Sequence, residues 1–222
     1  MLLLHGYLSN RQSFYYQIQS LADSGRLAVA PDMPAFGASS KIMRAWSVGD
    51  YADWLKSFIA AADIKGADIV AHSFGARVAL KLLAEDKSLA DKLLITGGAG
   101  LVKPRSAEYI RQVKRYRRIK KLFPKYAERH FGSEEYRSLP PVMKESYKKI
   151  VNEDLRGCAR KIENKTLLIY GRDDNVTPPE EEGKIFNSLI GGSELKIIDG
   201  GHFCFSENRA EFNRLMLGFL NG

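Results

Sequence analysis

The stretch Ile69-Val70-Ala71-His72-Ser73-Phe74-Gly75 constrains this chain most. The run from Ala67 to Ala71 reads as a buried strand. Val78, Leu80, Leu82 and Leu83, set among Ala76, Ala79 and Ala84, read as a helix. Between the two there is almost no room to turn. A strand that becomes a helix within two or three residues makes a tight, strained elbow, and the residue at its tip is pushed out of the sheet toward the N-terminus of the helix. Ser73 stands at that tip. It can serve there as a nucleophile or merely cap the helix, and the rest of the chain has to decide between the two.

Other short apolar runs follow the same plan. Leu2 to Leu4, Leu93 to Thr96, Thr166 to Tyr170 and Leu195 to Ile198 read as strands, and Leu27 to Ala30 is a further apolar run closed by Pro31-Asp32-Met33-Pro34. Helical patterns separate most of them: Phe14, Ile18 and Leu21; about Ser47 to Asp63; Glu180 to Leu189; and a last helix holding Phe212, Leu215, Phe219 and Leu220. This alternation predicts an α/β fold, a mostly parallel sheet with helices on both faces. One segment breaks it. Residues 103–160 carry helical patterns only, interrupted at Pro124 and Pro140-Pro141. They read as a helical lid inserted between core segments 1–102 and 161–222.

Composition narrows the class. Hydrophobic residues make up 45% and charged residues 27% of 222, ordinary for one globular domain with a sizeable core. Two cysteines, Cys158 and Cys204, make neither a disulfide scaffold nor a zinc site and suit a reducing cytoplasm. Met1-Leu2-Leu3-Leu4 is too short for a signal-peptide core, and no apolar run approaches a membrane span. The net charge of +8 is concentrated. Residues 101–150 hold 15 Lys and Arg against 5 Glu, so the rest of the chain is slightly acidic. In that segment Tyr109, Val113, Tyr116, Ile119 and Phe123 share one helical face; Arg111, Lys114, Arg115, Arg118 and Lys121 share another. The basic face reads as a solvated surface, as an attractor of anionic substrates, or as a docking face for an anionic membrane surface. No nucleic-acid-binding motif accompanies it.

In an open parallel sheet, ligands bind at the carboxyl ends of the strands. Ser73 follows one strand. Gly171-Arg172-Asp173-Asp174-Asn175-Val176-Thr177-Pro178 follows a second, and Gly200-Gly201-His202-Phe203 a third. A serine hydroxyl is a weak nucleophile. It needs an imidazole to take its proton and return it to the leaving group, and a carboxylate to orient that imidazole. Singly, the histidine reads as a loop residue and the aspartate as a turn residue. Together, in the order Ser, Asp, His, they read as a catalytic set. Of the two neighbouring acids Asp174 is the better placed, leaving Asp173 solvated at the rim. Two backbone donors are expected for the oxyanion: Phe74 N–H, and Tyr7 N–H from the loop after the first strand. Losing one such donor typically costs about 3 kcal/mol of barrier. Cys204 lies close enough to His202 in sequence to be either packing or a pocket wall.

These segments resemble the α/β-hydrolase fold superfamily along nearly the whole chain. The residues that carry the resemblance are His5-Gly6-Tyr7, Pro31-Asp32-Met33-Pro34-Ala35-Phe36-Gly37-Ala38-Ser39, Ala71-His72-Ser73-Phe74-Gly75, Gly171 to Pro178, and Gly201-His202-Phe203. The resemblance implies Ser73, Asp174 and His202 as a triad and a lid that shapes the substrate pocket. The chain departs from the family at Ala71, where glycine is usual. It also lacks the hairpin that usually precedes the His-Gly strand, which leaves one sheet edge shorter.

The expected activity is a serine hydrolase that cleaves a small or medium ester or thioester through an acyl-enzyme, with no metal and no organic cofactor. Two alternatives share these residues: C–C bond hydrolysis or cofactor-free perhydrolysis by the same triad, and a ligand-binding or signalling member with little turnover. The expected partner is a small molecule, anionic if the basic segment acts on it, and neither nucleic acid nor an inserted membrane.

Overall fold

The computed structural model describes residues 1–102, 111, 113–116, 118, 121 and 134–222. Five strands form one sheet: β1 Leu2–Leu4, β2 Ile69–His72, β3 Lys92–Thr96, β4 Lys165–Gly171 and β5 Glu194–Ile198. All pair in parallel, in the spatial order β1-β2-β3-β4-β5. Because every strand runs the same way, every carboxyl end lies at one edge of the sheet.

Successive strand residues feed opposite cores, the period-two geometry of a pleated strand. Leu2, Leu4, Ile69, Ala71, Leu93, Ile95, Leu168 and Tyr170 belong to one cluster. Leu3, Val70, Leu94, Leu167 and Ile169 belong to the other. With both faces buried, no polar residue is needed on alternate positions, and so these strands read as continuous apolar runs. The first core is completed by α2 Val48–Ala61, α3 Phe74–Glu85, α5 Pro141–Val151 and α7 Lys184–Leu189. The second is completed by α1 Tyr15–Asp23, α8 Cys204–Glu207 and α9 Arg209–Asn221. Two short helices, α4 Glu134–Ser138 and α6 Arg156–Ala159, flank α5.

Local signals explain several boundaries. Ser47 Oγ accepts from Asp50 N at 3.2 Å while Asp50 Oδ2 accepts from Ser47 N at 2.7 Å, a capping box that starts α2. Pro140 and Pro141 open α5, where a missing N–H costs nothing. One apolar run pairs as no strand, and one helix opens with a different turn. Leu27 to Ala30 forms no strand: a single bridge joins Val29 to Leu2, and Leu27 is 75% exposed. The pattern from Glu180 begins as a π turn over Pro179–Gly183, and the α-helix starts only at Lys184.

Between β3 and β4, Val113 and Tyr116 are half-buried, whereas Arg111, Lys114, Arg115, Arg118 and Lys121 are exposed. Tyr109, Ile119, Phe123 and Pro124 lie outside the described residues. No helix among the described residues is long and apolar enough to cross a membrane.

Candidate active site

The turn from β2 into α3 is as sharp as its sequence requires. Ser73 has φ 51° and ψ −106°, a backbone region that costs a residue with a side chain about 1–3 kcal/mol. It precedes α3, but its side chain makes no capping hydrogen bond, so capping does not explain the serine. Close packing enforces the turn. A Cβ on Gly75 would sit 2.3 Å from the Leu4 carbonyl oxygen, and one on Gly6 would meet the His72 ring at 2.9 Å.

His202 and Asp174 meet across the ends of β5 and β4. His202 Nδ1 lies 2.8 Å from Asp174 Oδ2. Asp174 is 2% exposed, and its other oxygen accepts from the amides of Val176 and Thr177, each at 2.8 Å. The Thr177 hydroxyl donates to Asp174 Oδ2 at 2.8 Å and lies 3.2 Å from His202 Nδ1. Burial alone raises the Asp174 pKa; the His202 contact and the Thr177 bonds outweigh it and hold the carboxyl below its ordinary value. Asp173 is exposed, one residue away.

Ser73, Phe74, Tyr7, Thr177 and His202 line one cavity of about 610 Å³. The Ser73 hydroxyl and the His202 ring share it without a hydrogen bond between them. Such contacts are often long before substrate binds. The amides of Tyr7 and Phe74 take no backbone partner among the described residues. Phe74 is the first residue of α3, where amides have no helical acceptor.

Two buried histidines hold the frame of the cavity. His5 is fully buried; Met33 N donates to its Nε2 at 3.0 Å, so Nδ1 carries the proton and donates to Gly6 O at 2.7 Å. That fixes the loop bearing Tyr7. His72 Nε2 donates to the His202 carbonyl at 3.0 Å. Burial pushes the His72 pKa down to about 3, so its ring is neutral. Cys204, by contrast, packs in the second core, 3.6 Å from Thr96 Oγ1, with its thiol pKa pushed up to about 11 by burial.

The structure thus brings Asp174 into contact with His202 and places Ser73, Tyr7 and Phe74 on the same cavity. Sequence reasoning passed over Thr177, Arg77 and Glu182, which also line it. Arg77 had a visible signal, a charge inside the apolar run Ala76-Arg77-Val78-Ala79. Among the described residues there is no cluster suited to a metal ion.

Three similarities bear on identity. A protein of Bacillus subtilis (strain 168) described as AB hydrolase superfamily protein YisY is 23% identical over 244 residues, spanning all of this chain and 91% of its own length. The 2-hydroxymuconate semialdehyde hydrolase of Pseudomonas putida is 27% identical over 225 residues, covering 88% of this chain and 77% of its own. The solved esterase of Exiguobacterium antarcticum superposes with a TM-score of 0.80 at 22% identity, covering 100% of this chain and 91% of that one. Residues 1–215 match the family described as the alpha/beta hydrolase family, and the chain belongs to it.

Proposed function

We propose that this hydrolase cleaves a small or medium ester or thioester through an acyl-enzyme on Ser73. The observation that carries the reading is the 2.8 Å contact of His202 Nδ1 with buried Asp174, in a cavity that Ser73 also lines. Ser73 Oγ attacks the carbonyl carbon while His202 Nε2 takes the hydroxyl proton. Asp174 holds Nδ1–H and stabilises the imidazolium. The oxyanion accepts from the Tyr7 and Phe74 amides. Collapse breaks the ester or thioester bond, and His202 hands its proton to the departing alcohol or thiol. Water then repeats the sequence, releasing the acid and restoring the serine.

The helices between β3 and β4 serve in this reading as the lid. Tyr136, Leu139, Tyr147 and Ile150 give it an apolar and aromatic lining. The basic excess of residues 101–150 supports an anionic substrate. The likeness to 2-hydroxymuconate semialdehyde hydrolase keeps C–C cleavage by the same residues as the second reading.

A fluorophosphonate probe should label Ser73, p-nitrophenyl esters should turn over, and Ser73→Ala should abolish both. Labelling without turnover of any ester would favour a binding protein. Diketone turnover far above ester turnover would favour the second reading.

A further inference from the structure

The cavity contains a buried cation that the hydrolytic steps leave unused. Arg77 lies in the first turns of α3, four residues after its N-cap Ser73. It is 7% exposed and lines the cavity with Ser73.

The bonds of Arg77 are unevenly spent. Nη1 donates to Ile150 O at 2.9 Å and to Glu153 O at 3.1 Å, at the end of α5. That uses both of its protons and ties α3 to α5. Nε–H and the Nη2 protons meet no acceptor among the described residues. Together they form the side-on edge of the guanidinium fork, the edge that matches the two oxygens of a carboxylate. Nor does any acid among the described residues make a salt bridge with Arg77. Glu182 acts on it most strongly of the neighbouring acids, yet makes no salt bridge with it, and Glu153 is engaged by Lys81 at 3.1 Å. Buried charges are normally paired, because an unpaired one keeps its desolvation cost. A guanidinium held at one corner, open along one edge and placed one helical turn from the reacting serine is organised for a ligand.

We propose that Arg77 binds a carboxylate at the far end of the substrate's acyl chain, making the preferred substrates monoesters or monothioesters of short dicarboxylic acids. This rests on the hydrolase reading above and deepens it. The acyl carbonyl sits at Ser73, the methylenes run along Phe74 and Tyr147, and the distal carboxylate meets Nε–H and Nη2–H. Glu182 opposes a second anion there and so tunes the affinity downward.

The test separates binding from turnover. Calorimetry at fixed salt compares adipate with hexanoate, which differ only in the distal group. Wild-type protein should bind adipate about tenfold to a hundredfold more tightly. Arg77→Met should abolish the difference. Because that variant also loses the bonds to α5, Glu182→Gln supplies an arm that leaves them in place, and it should strengthen adipate binding severalfold. Phenyl hydrogen adipate against phenyl hexanoate should show the same preference in kcat/KM. Equal binding of adipate and hexanoate by wild type, or no gain in Glu182→Gln, would overturn the assignment. Ester turnover without this preference sinks the role of Arg77 alone. The preference in binding without any ester turnover sinks the hydrolase reading alone.

Discussion

His72 Nε2 donates to the backbone carbonyl of His202 at 3.0 Å, so the residue before the elbow serine holds the loop that carries the imidazole. Its other nitrogen, Nδ1, is buried with no hydrogen-bond partner among the described residues. The two rings lie 4.7 Å apart at their centroids. A protonated His72 would repel the imidazolium that the proposed mechanism forms on His202. Burial prevents it.

This arrangement makes stability depend on mild acid. Folding lowers the His72 pKa from 6.5 to about 3, so between those values the unfolded chain binds the extra proton. The contribution is complete above 6.5 and drains away as pH falls toward 3. His5 is shifted in the same direction by burial. Urea unfolding at pH 8 and pH 5 should show a loss in wild type that is smaller in His72→Gln, whose amide can still donate to the His202 carbonyl. Equal losses in the two proteins would remove His72 as the source.

Ser73 offers a second test, because strain and the proposed nucleophile coincide there. Its φ of 51° with ψ of −106° suits glycine. Ser73→Gly should therefore unfold about 2–4 °C higher than Ser73→Ala for each kcal/mol of strain relieved. Neither variant should turn over esters. A melting point for Ser73→Gly at or below that of Ser73→Ala would show that the turn stores no strain.

The carboxylate side of the site can be weakened in steps. Asp174→Asn keeps the shape but removes the charge that orients His202, and kcat should drop by about 10⁴. Thr177→Val removes one hydroxyl bond at 2.8 Å to the ionised Asp174, a loss of about 1.5–3 kcal/mol, or roughly tenfold to a hundredfold in kcat/KM. If Thr177→Val instead matched wild type in kcat/KM, the hydroxyl would be a bystander. Asp174 also carries acid stability of its own. Its depressed pKa means a contribution present above the ordinary carboxylate range and lost as pH falls below it.

Strand positions were legible in the sequence because a sheet buried on both faces leaves unbroken apolar runs such as Leu93 to Ile95 and Leu167 to Ile169. Strand ends were legible because glycines and the Ser73 turn punctuate them. Leu27 to Ala30 forms no strand because apolar content alone does not pair one: beside β1 Val29 bonds Met1 and Leu3, and Leu27 meets only the Met1 amine. The positions expected for Asp174 and His202 rested on topology, which sequence order carries. Arg77 and Glu182 could not be placed, because their sharing one cavity depends on how α5 and the π turn pack over α3. That packing is tertiary and leaves no short-range pattern.

The close approach of β4 to the histidine loop gives the last prediction. A Cβ on Gly171 would lie 2.1 Å from the Gly201 carbonyl oxygen and 2.4 Å from that of Gly200. Both obstacles are backbone, and the loop is further tied by Arg172 N to Ile198 O at 2.8 Å and Asp173 N to Gly200 O at 3.0 Å. The methyl of Gly171→Ala therefore has nowhere to go unless the loop bearing His202 moves away from Asp174. A displacement of about 1 Å at a reacting group can cost about a hundredfold. Ester turnover and fluorophosphonate labelling should fall together by at least that order, while the circular dichroism of the sheet and helices persists. Gly218→Ala is the matched control: nothing lies within 4 Å of its added methyl, and α9 should gain about 0.5–1 kcal/mol. Full activity in Gly171→Ala would mean that the loop tolerates the shift, and the contact between His202 and Asp174 would lose its standing as the element on which the chemistry turns.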